Sequence, residues 1–337
     1  MRFLVLGYFG YETNQLDGQT VKTRNIYEML VNHSIDISYF DSQKIHVSKV
    51  YTLEMLYKIF LSRFIIIIPA HNMLKWVFPV VYVLSKFFRK KVILIPVGGW
   101  LSSFLKNRRV LQQMISKIQA VFPQTKEEVR KLHDLYGWNN IEYLPNFRIC
   151  NKTKVDFSLN KELKLVFFAR INKMKGLDVV FNIADKLGKA KLNMTIDFYG
   201  PIYEPDNAYF ENEISQHPNT IYKGVLPPDQ IQNVLKQYDI LLFPTKYKTE
   251  GFPGTILDAY MSGVPVIVSN WNHAKEFVKE GYSGFICETE DAEAYYNKVL
   301  YLNNNRDVLM RMKANSYNES KKYSDNEAFE IMRKYLA

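Results

Sequence analysis

In the stretch TEGFPGTILDAYMSGVPVI, residues 249–267, two carboxylates stand eight positions apart: Glu250 in a Gly/Pro-rich loop and Asp258 in the apolar run that follows. Upstream, FFARINKMKGLDVV carries two cations, Arg170 and Lys175, the second directly before Gly176. Cations at the end of a strand and beside a helix N-terminus make a clamp for a diphosphate, because they add to the free N–H groups and the positive end of the helix dipole. One acid for ribose hydroxyls and one for sugar hydroxyls would complete a nucleotide-sugar pocket. Each residue also has a plain alternative. Arg170, Lys175 and Glu250 read equally as solvated loop charges, and Asp258 as a first-turn acid favoured by the dipole.

These residues need elements to hold them. Asp239–Phe243 reads as a buried strand, 245–253 as a loop, and a helix starts near Gly254–Thr255 and stops at Gly263, a C′ glycine. The next strand is 264–268. The same strand–loop–helix unit recurs along the chain. Strands are expected at 2–6, 36–40, 64–68, 92–97, 120–122 and 141–144, with a helix at 18–31 and another ending at Tyr136, opened by a Thr125/Glu128 capping box. A second series follows: strand 164–169, helix 177–188, strands 194–200 and 220–223, helix 228–237, strand 239–243, then helices 254–262 and 273–280 around strand 264–268. Strands alternating with helices in both halves predict an α/β chain of two Rossmann-like, doubly wound domains facing across a cleft. The first spans 1–150 and the second 160–319, joined by the aperiodic NFRICNKTKVDFSLNKE, with a terminal helical region, 320–337, free to cross back onto the first.

The bulk numbers fit that plan. A chain of 337 residues, 47% hydrophobic and 23% charged, has the size and balance of two ordinary globular domains. Two cysteines, Cys150 and Cys287, exclude a disulfide scaffold and lack metal-ligand spacing, which points to a reducing cytosol. The opening MRFLVLGYFGYETN is too short in apolar residues for a secretory signal. The apolar stretch 64–88 is interrupted by His71, Asn72, Lys75, Pro79 and Lys86, which argues against a membrane span. Charge is divided unequally: residues 1–150 hold 20 Lys/Arg against 10 Asp/Glu, whereas 151–337 hold 24 of each. A basic half suggests an anionic surface as partner. It carries no nucleic-acid-binding motif.

The series ARINKMKG … YKGVLPPDQI … DILLFPTKYKTEGFPGTILDAYMSGVPVIVSN … GYSGF resembles the family 4 glycosyltransferases, retaining enzymes of the GT-B fold, over residues 164–290. Its core is the family's Glu-x7-Glu element, here Glu250 and Asp258, with Asp one methylene shorter than the family's second Glu. The resemblance implies that Arg170 and Lys175 hold the donor diphosphate, Glu250 the donor sugar and Asp258 the ribose. Backbone N–H groups of Phe252, Pro253's neighbour Gly254, and Thr255 would approach sugar and phosphate, and Gly224–Val225 would border the base. Gly18, in the place of the family's first glycine loop, could bring amides to the diphosphate or simply open a helix. Where many members have a His, this chain has Gly98-Gly99-Trp100, and His71 is a substitute candidate. No Asp-x-Asp occurs, so no metal or cofactor is expected.

The resemblance implies transfer of a hexose from a nucleotide diphosphate sugar, UDP-sugar favoured over GDP-sugar, to a glycan hydroxyl. A nucleotide-sugar epimerase of the same fold and a non-catalytic nucleotide-sugar-binding protein are the competing readings. From Phe104 to Ile118, apolar residues at near-helical spacing alternate with Lys106, Arg108, Arg109 and Lys117. This predicts either a surface helix packed on the core or a basic face for an anionic membrane. The expectation is a cytoplasmic enzyme, peripheral on the inner face of the cell membrane, extending a polyprenyl-diphosphate-linked glycan for a bacterial surface polysaccharide.

Overall fold

Parallel strands covered on both faces read as unbroken apolar runs, and FIIII at Phe64–Ile68 is buried at every position. It is one of eleven strands in the computed structural model, which describes residues 2–13, 15, 17–149 and 157–336. Of the linker expected at 146–162, residues 150–156 lie outside the described residues. The chain divides into two compact units, Met1–Cys150 with Tyr323–Ala337, and Asn151–Lys322.

The first unit holds β1 (Phe3–Gly7), β2 (Ile37–Asp41), β3 (Phe64–Ile68), β4 (Lys91–Leu94) and β5 (Ala120–Val121), in the parallel order β2-β1-β3-β4-β5. Alternate strand residues serve opposite faces. Phe3, Val5, Ile66 and Ile93 meet Ile26 and Met29 of helix Gly18–Asn32, and Ala328 and Met332 of helix Asp325–Arg333. Leu4, Leu6, Ile65 and Leu94 meet helices Tyr51–Leu61 and His71–Phe87 on the other side. The C-terminal helix is thus part of this unit's core. His33 stacks on Phe329 at 3.7 Å, and Arg148 N–H donates to Tyr323 O at 3.1 Å.

The second unit holds β6 (Lys164–Phe168), β7 (Thr195–Tyr199), β8 (Thr220–Tyr222), β9 (Ile240–Phe243), β10 (Val266–Ser269) and β11 (Gly284–Cys287), in the order β11-β10-β9-β6-β7-β8, every pair parallel. The helix between β9 and β10 closes as its glycine demands. Gly263 adopts φ +67°, and the N–H groups of Gly263 and Val264 return to Tyr260 O and Ala259 O at 2.9 and 2.8 Å.

Three local expectations are corrected. The helix expected across 104–118 is two, Leu101–Leu105 and Arg109–Ile115, broken where Asn107 turns to φ +68°. Thr125 caps Glu128 N–H at 3.1 Å, but the Glu128 carboxylate goes to the N–H and hydroxyl of Ser102 rather than closing a capping box. The strand at 141–144 is reduced to one bridge, Ile141 to Val121.

Candidate functional site

β6 and β9 are neighbours in space, yet β7 and β8 separate them in sequence. From this pair the chain winds outward in both directions, which makes the strand C-terminal ends here the switch point at which open α/β sheets place a ligand crevice. The first loop carries Arg170 and Lys175; the second carries Glu250.

Backbone contacts clamp the two loops together. Gly176 sits at φ +80°, and a Cβ there would lie 2.0 Å from Pro244 O. No other residue fits that approach. Lys246 N–H donates to Met174 O at 2.9 Å, and the Asn172 side chain accepts from Met174 N–H at 2.7 Å. The result is an ion pair between Lys175 Nζ and Glu250 Oε1, both half-buried. Thr245 donates its hydroxyl to the same Oε1 at 3.2 Å, while its carbonyl accepts from the Ser269 hydroxyl. The Lys175 ammonium also stands 5.2 and 5.0 Å from the ring centres of Phe243 and Tyr247. Arg170 is exposed at the end of β6. Its charge reaches the same spot: burial and then the Glu250 carboxylate raise the Tyr247 pKa, and Arg170 works against them.

Helix Gly254–Met261 points its N-terminus into this region, with Pro253 as N-cap and no side chain bonded across the cap. The Thr255 hydroxyl donates to Phe168 O at 2.8 Å, which ties the helix start to the end of β6. Phe252 is buried against Phe277, rings 4.1 Å apart and nearly parallel, so the turn before the helix is fixed from behind. Asp258 is the fifth helical residue and only 6% exposed. It lies beyond the first turn, which corrects the dipole account of this acid.

The other sequence-chosen residues are distributed as follows. Gly224 follows β8 at φ +85°, its carbonyl accepting from Gly200 N–H at 2.9 Å, and Val225 beside it is exposed. In the first unit, Gly18 opens its helix, but the N–H groups of Gln19 and Thr20 are already bonded to the Asp17 carboxylate at 2.9 and 3.0 Å. That describes a helix boundary. His71 begins the helix after β3 and stacks on Trp100 at 3.9 Å, next to Gly98, whose φ is +95°. Burial, then Arg108, lower its pKa.

Sequence reasoning passed over Thr245, Tyr247, Asp41 and Lys22. Asp41 accepts from the N–H groups of Phe9, Tyr11 and Gln43 at 3.0–3.1 Å and shapes the loop after β1. Lys22 is fully buried, its ammonium without a hydrogen-bond partner among the described residues, and burial pushes its pKa down to about 7. Only the lysine left a signal in the sequence, a charge on the inward side of an otherwise ordinary helix.

The family described as glycosyl transferases group 1 matches residues 151–319. The Staphylococcus aureus capsular polysaccharide biosynthesis glycosyltransferase CapM is 28% identical over 51% of this chain and 46% of its own. The Campylobacter jejuni N,N'-diacetylbacillosaminyl-diphospho-undecaprenol alpha-1,3-N-acetylgalactosaminyltransferase is 24% identical over 79% and 64%. The first curated relatives are matched over less than half of their own length. Anabaena HepE, solved with UDP-glucose, superposes with a TM-score of 0.74 at 15% identity, covering 100% of this chain and 99% of its own.

Proposed function

The chain belongs to the group 1 glycosyl transferases and has the two-sheet GT-B fold, and on that premise we propose that it moves a hexosyl unit from a nucleotide diphosphate sugar to a glycan hydroxyl with retention of anomeric configuration. The observation that carries this reading is the meeting of Lys175 and Glu250 on the two loops of the β6/β9 crevice, with the charge of Arg170 acting on Tyr247 beside them.

In the proposed reaction the C1–O bond to the β-phosphate breaks while an acceptor oxygen bonds C1 on the same face, and the acceptor proton passes to the departing phosphate oxygen. Negative charge grows on that phosphate as the bond opens. Arg170, Lys175 and the N–H groups of Gly254 and Thr255 are suited to meet it, and charge stabilisation that strengthens along the reaction is what lowers a barrier. Glu250 would hold the sugar hydroxyls, and Asp258 the ribose. Gly224 and Val225 would border the base, and His71 with Gly98 and Gly99 the acceptor or sugar. The cations do the work a metal would otherwise do, so the reaction is proposed to need none.

UDP is the favoured nucleotide because HepE was solved with UDP-glucose. A polyprenyl-diphosphate-linked acceptor is favoured because the Campylobacter relative is named for one, and a surface polysaccharide because CapM is named for capsule. The enzyme would then work peripherally at the inner face of the cell membrane. The test is incubation with UDP- and GDP-sugars, with and without a polyprenyl-diphosphate-linked acceptor. Acceptor-dependent glycan product supports transfer; release of free monosaccharide without acceptor would make it an epimerase, and binding without turnover a receptor.

A further inference from the structure

Two helices of the first unit are apolar on both sides. Helix His71–Phe87 buries Met73, Leu74, Phe78 and Val81 against the sheet. Its other side presents Trp76, Val80, Val83 and Phe87, which are 68%, 46%, 58% and 78% exposed. At 3.6 residues per turn these four fall within an arc of roughly 60°. Helix Tyr51–Leu61 repeats the arrangement, with Met55 and Ile59 inward and Leu53, Tyr57 and Phe60 outward, each 57–68% exposed. The ridges meet where Phe60 packs edge-to-face on Phe88 at 5.4 Å, and Phe88 on Phe87 at 4.9 Å. Exposed apolar side chains normally occur singly, whereas joined ridges of this kind mark an interaction surface.

The charge around the ridges says what the partner is. Between Glu54 and Glu127 there is no Asp or Glu, while twelve Lys and Arg occur there. Lys75 stands over the Trp76 ring at 4.7 Å, and Lys90 over Phe60 and Phe88 at 5.8 and 5.7 Å. Lys86 Nζ donates to Lys117 O at 2.9 Å, which brings the basic 106–117 segment alongside the same helix. Aromatic and aliphatic ridges rimmed by cations match the boundary of an anionic bilayer, where rings and branched chains enter the acyl edge and ammonium groups meet lipid phosphates.

We propose that this face docks on an anionic lipid bilayer by shallow insertion of Trp76, Val80, Val83 and Phe87, with Leu53, Tyr57 and Phe60 beside them. The proposal rests on the membrane reading given above and deepens it: insertion, and not charge alone, holds the protein on the surface. Among the described residues no helix is long and apolar enough to cross a membrane.

The full chain is floated with phosphatidylglycerol-rich and with phosphatidylcholine vesicles. Trp76→Ser/Val83→Ser/Phe87→Ser is compared with the charge variant Arg108→Glu/Arg109→Glu/Lys117→Glu. The wild type is expected on the anionic vesicles, and the ridge variant to bind them roughly tenfold or more weakly with an unchanged thermal melt. Acyl-chain-brominated lipid should quench wild-type fluorescence by an amount lost in Trp76→Phe. A ridge variant that floats like wild type, while the charge variant does not, overturns insertion and leaves the membrane reading standing. A wild type that floats with neither vesicle sinks both. A wild-type dimer that the ridge variant splits, seen by light scattering, makes the face a self-association surface. Should the ridge variant melt early, the quenching decides, and no quenching rejects the proposal.

Discussion

Lys175 and Glu250 neutralise one another in the β6/β9 crevice; in the proposed reaction an arriving diphosphate would draw the ammonium away and leave the carboxylate for the sugar. This exchange makes the two residues separable by experiment. Arg170→Ala or Lys175→Ala should lower turnover by roughly 10² while the fold survives, since a preorganised charge is lost; turnover within a few-fold of wild type in both would remove them from the site. Glu250→Gln should damage transfer more than nucleotide binding, whereas Asp258→Asn should weaken binding of free UDP. Calorimetry reads the difference, and unchanged UDP affinity in Asp258→Asn ends the ribose role. Lys22 makes a prediction of another kind. Its folded pKa is about 7, below the 10.5 of an ordinary lysine, so the unfolded chain binds an extra proton between those values. The resulting penalty is fully present below about pH 7 and is relieved as pH rises towards about 10. Lys22→Met should therefore melt above wild type at neutral pH, by a margin that shrinks as pH rises. A margin independent of pH would contradict the assignment.

At the scale of elements, the crevice depends on how closely the loop after β6 lies on the end of β9. Gly176→Ala drives a Cβ into Pro244 O and strains a positive φ. A cost of about 3–5 kcal/mol is expected. Chemical unfolding would measure it, and a variant as stable as wild type would mean the loops are not locked there. The strands were legible because buried parallel strands are plain apolar runs, such as FIIII and ILLF. Helix Asn207–Gln216 was not, because it buries only Phe210 and shows no apolar stripe. The helix expected over 104–118 was overread for the opposite reason. Two short helices happen to continue one apolar spacing, and the break depends on a single backbone angle at Asn107. That Lys175 and Glu250 would come together could be read from type and spacing. Thr245 could not, since its role exists only once Glu250 and Ser269 come to it through space.

Across the whole molecule, charge and chain path divide differently. The basic excess lies in residues 1–150, whereas the first unit's core also needs residues from the far end of the chain. Ala328 and Met332 fill the same cluster as Phe3, Val5 and Ile26. Removing the chain from Asp325 onward should lower the melting of the first unit and spare the second, which calorimetry would resolve as one shifted transition beside one unshifted. An equal shift of both would argue against a core role confined to the first unit.

This chain path has a consequence for biosynthesis. Domains ordinarily fold in the order in which the ribosome makes them. Here the strands of the first unit emerge first with helix Gly18–Asn32, but the helix Asp325–Arg333 that completes the cover of the same sheet face is translated only after all of Asn151–Lys322. A nascent chain therefore carries a sheet face covered by helix Gly18–Asn32 but not yet by Ala328 and Met332 for as long as the second unit takes to synthesise. The unit begun last can be finished first, and the unit begun first must wait, open to chaperones and to its neighbours on the polysome, for a helix translated after the whole of the other.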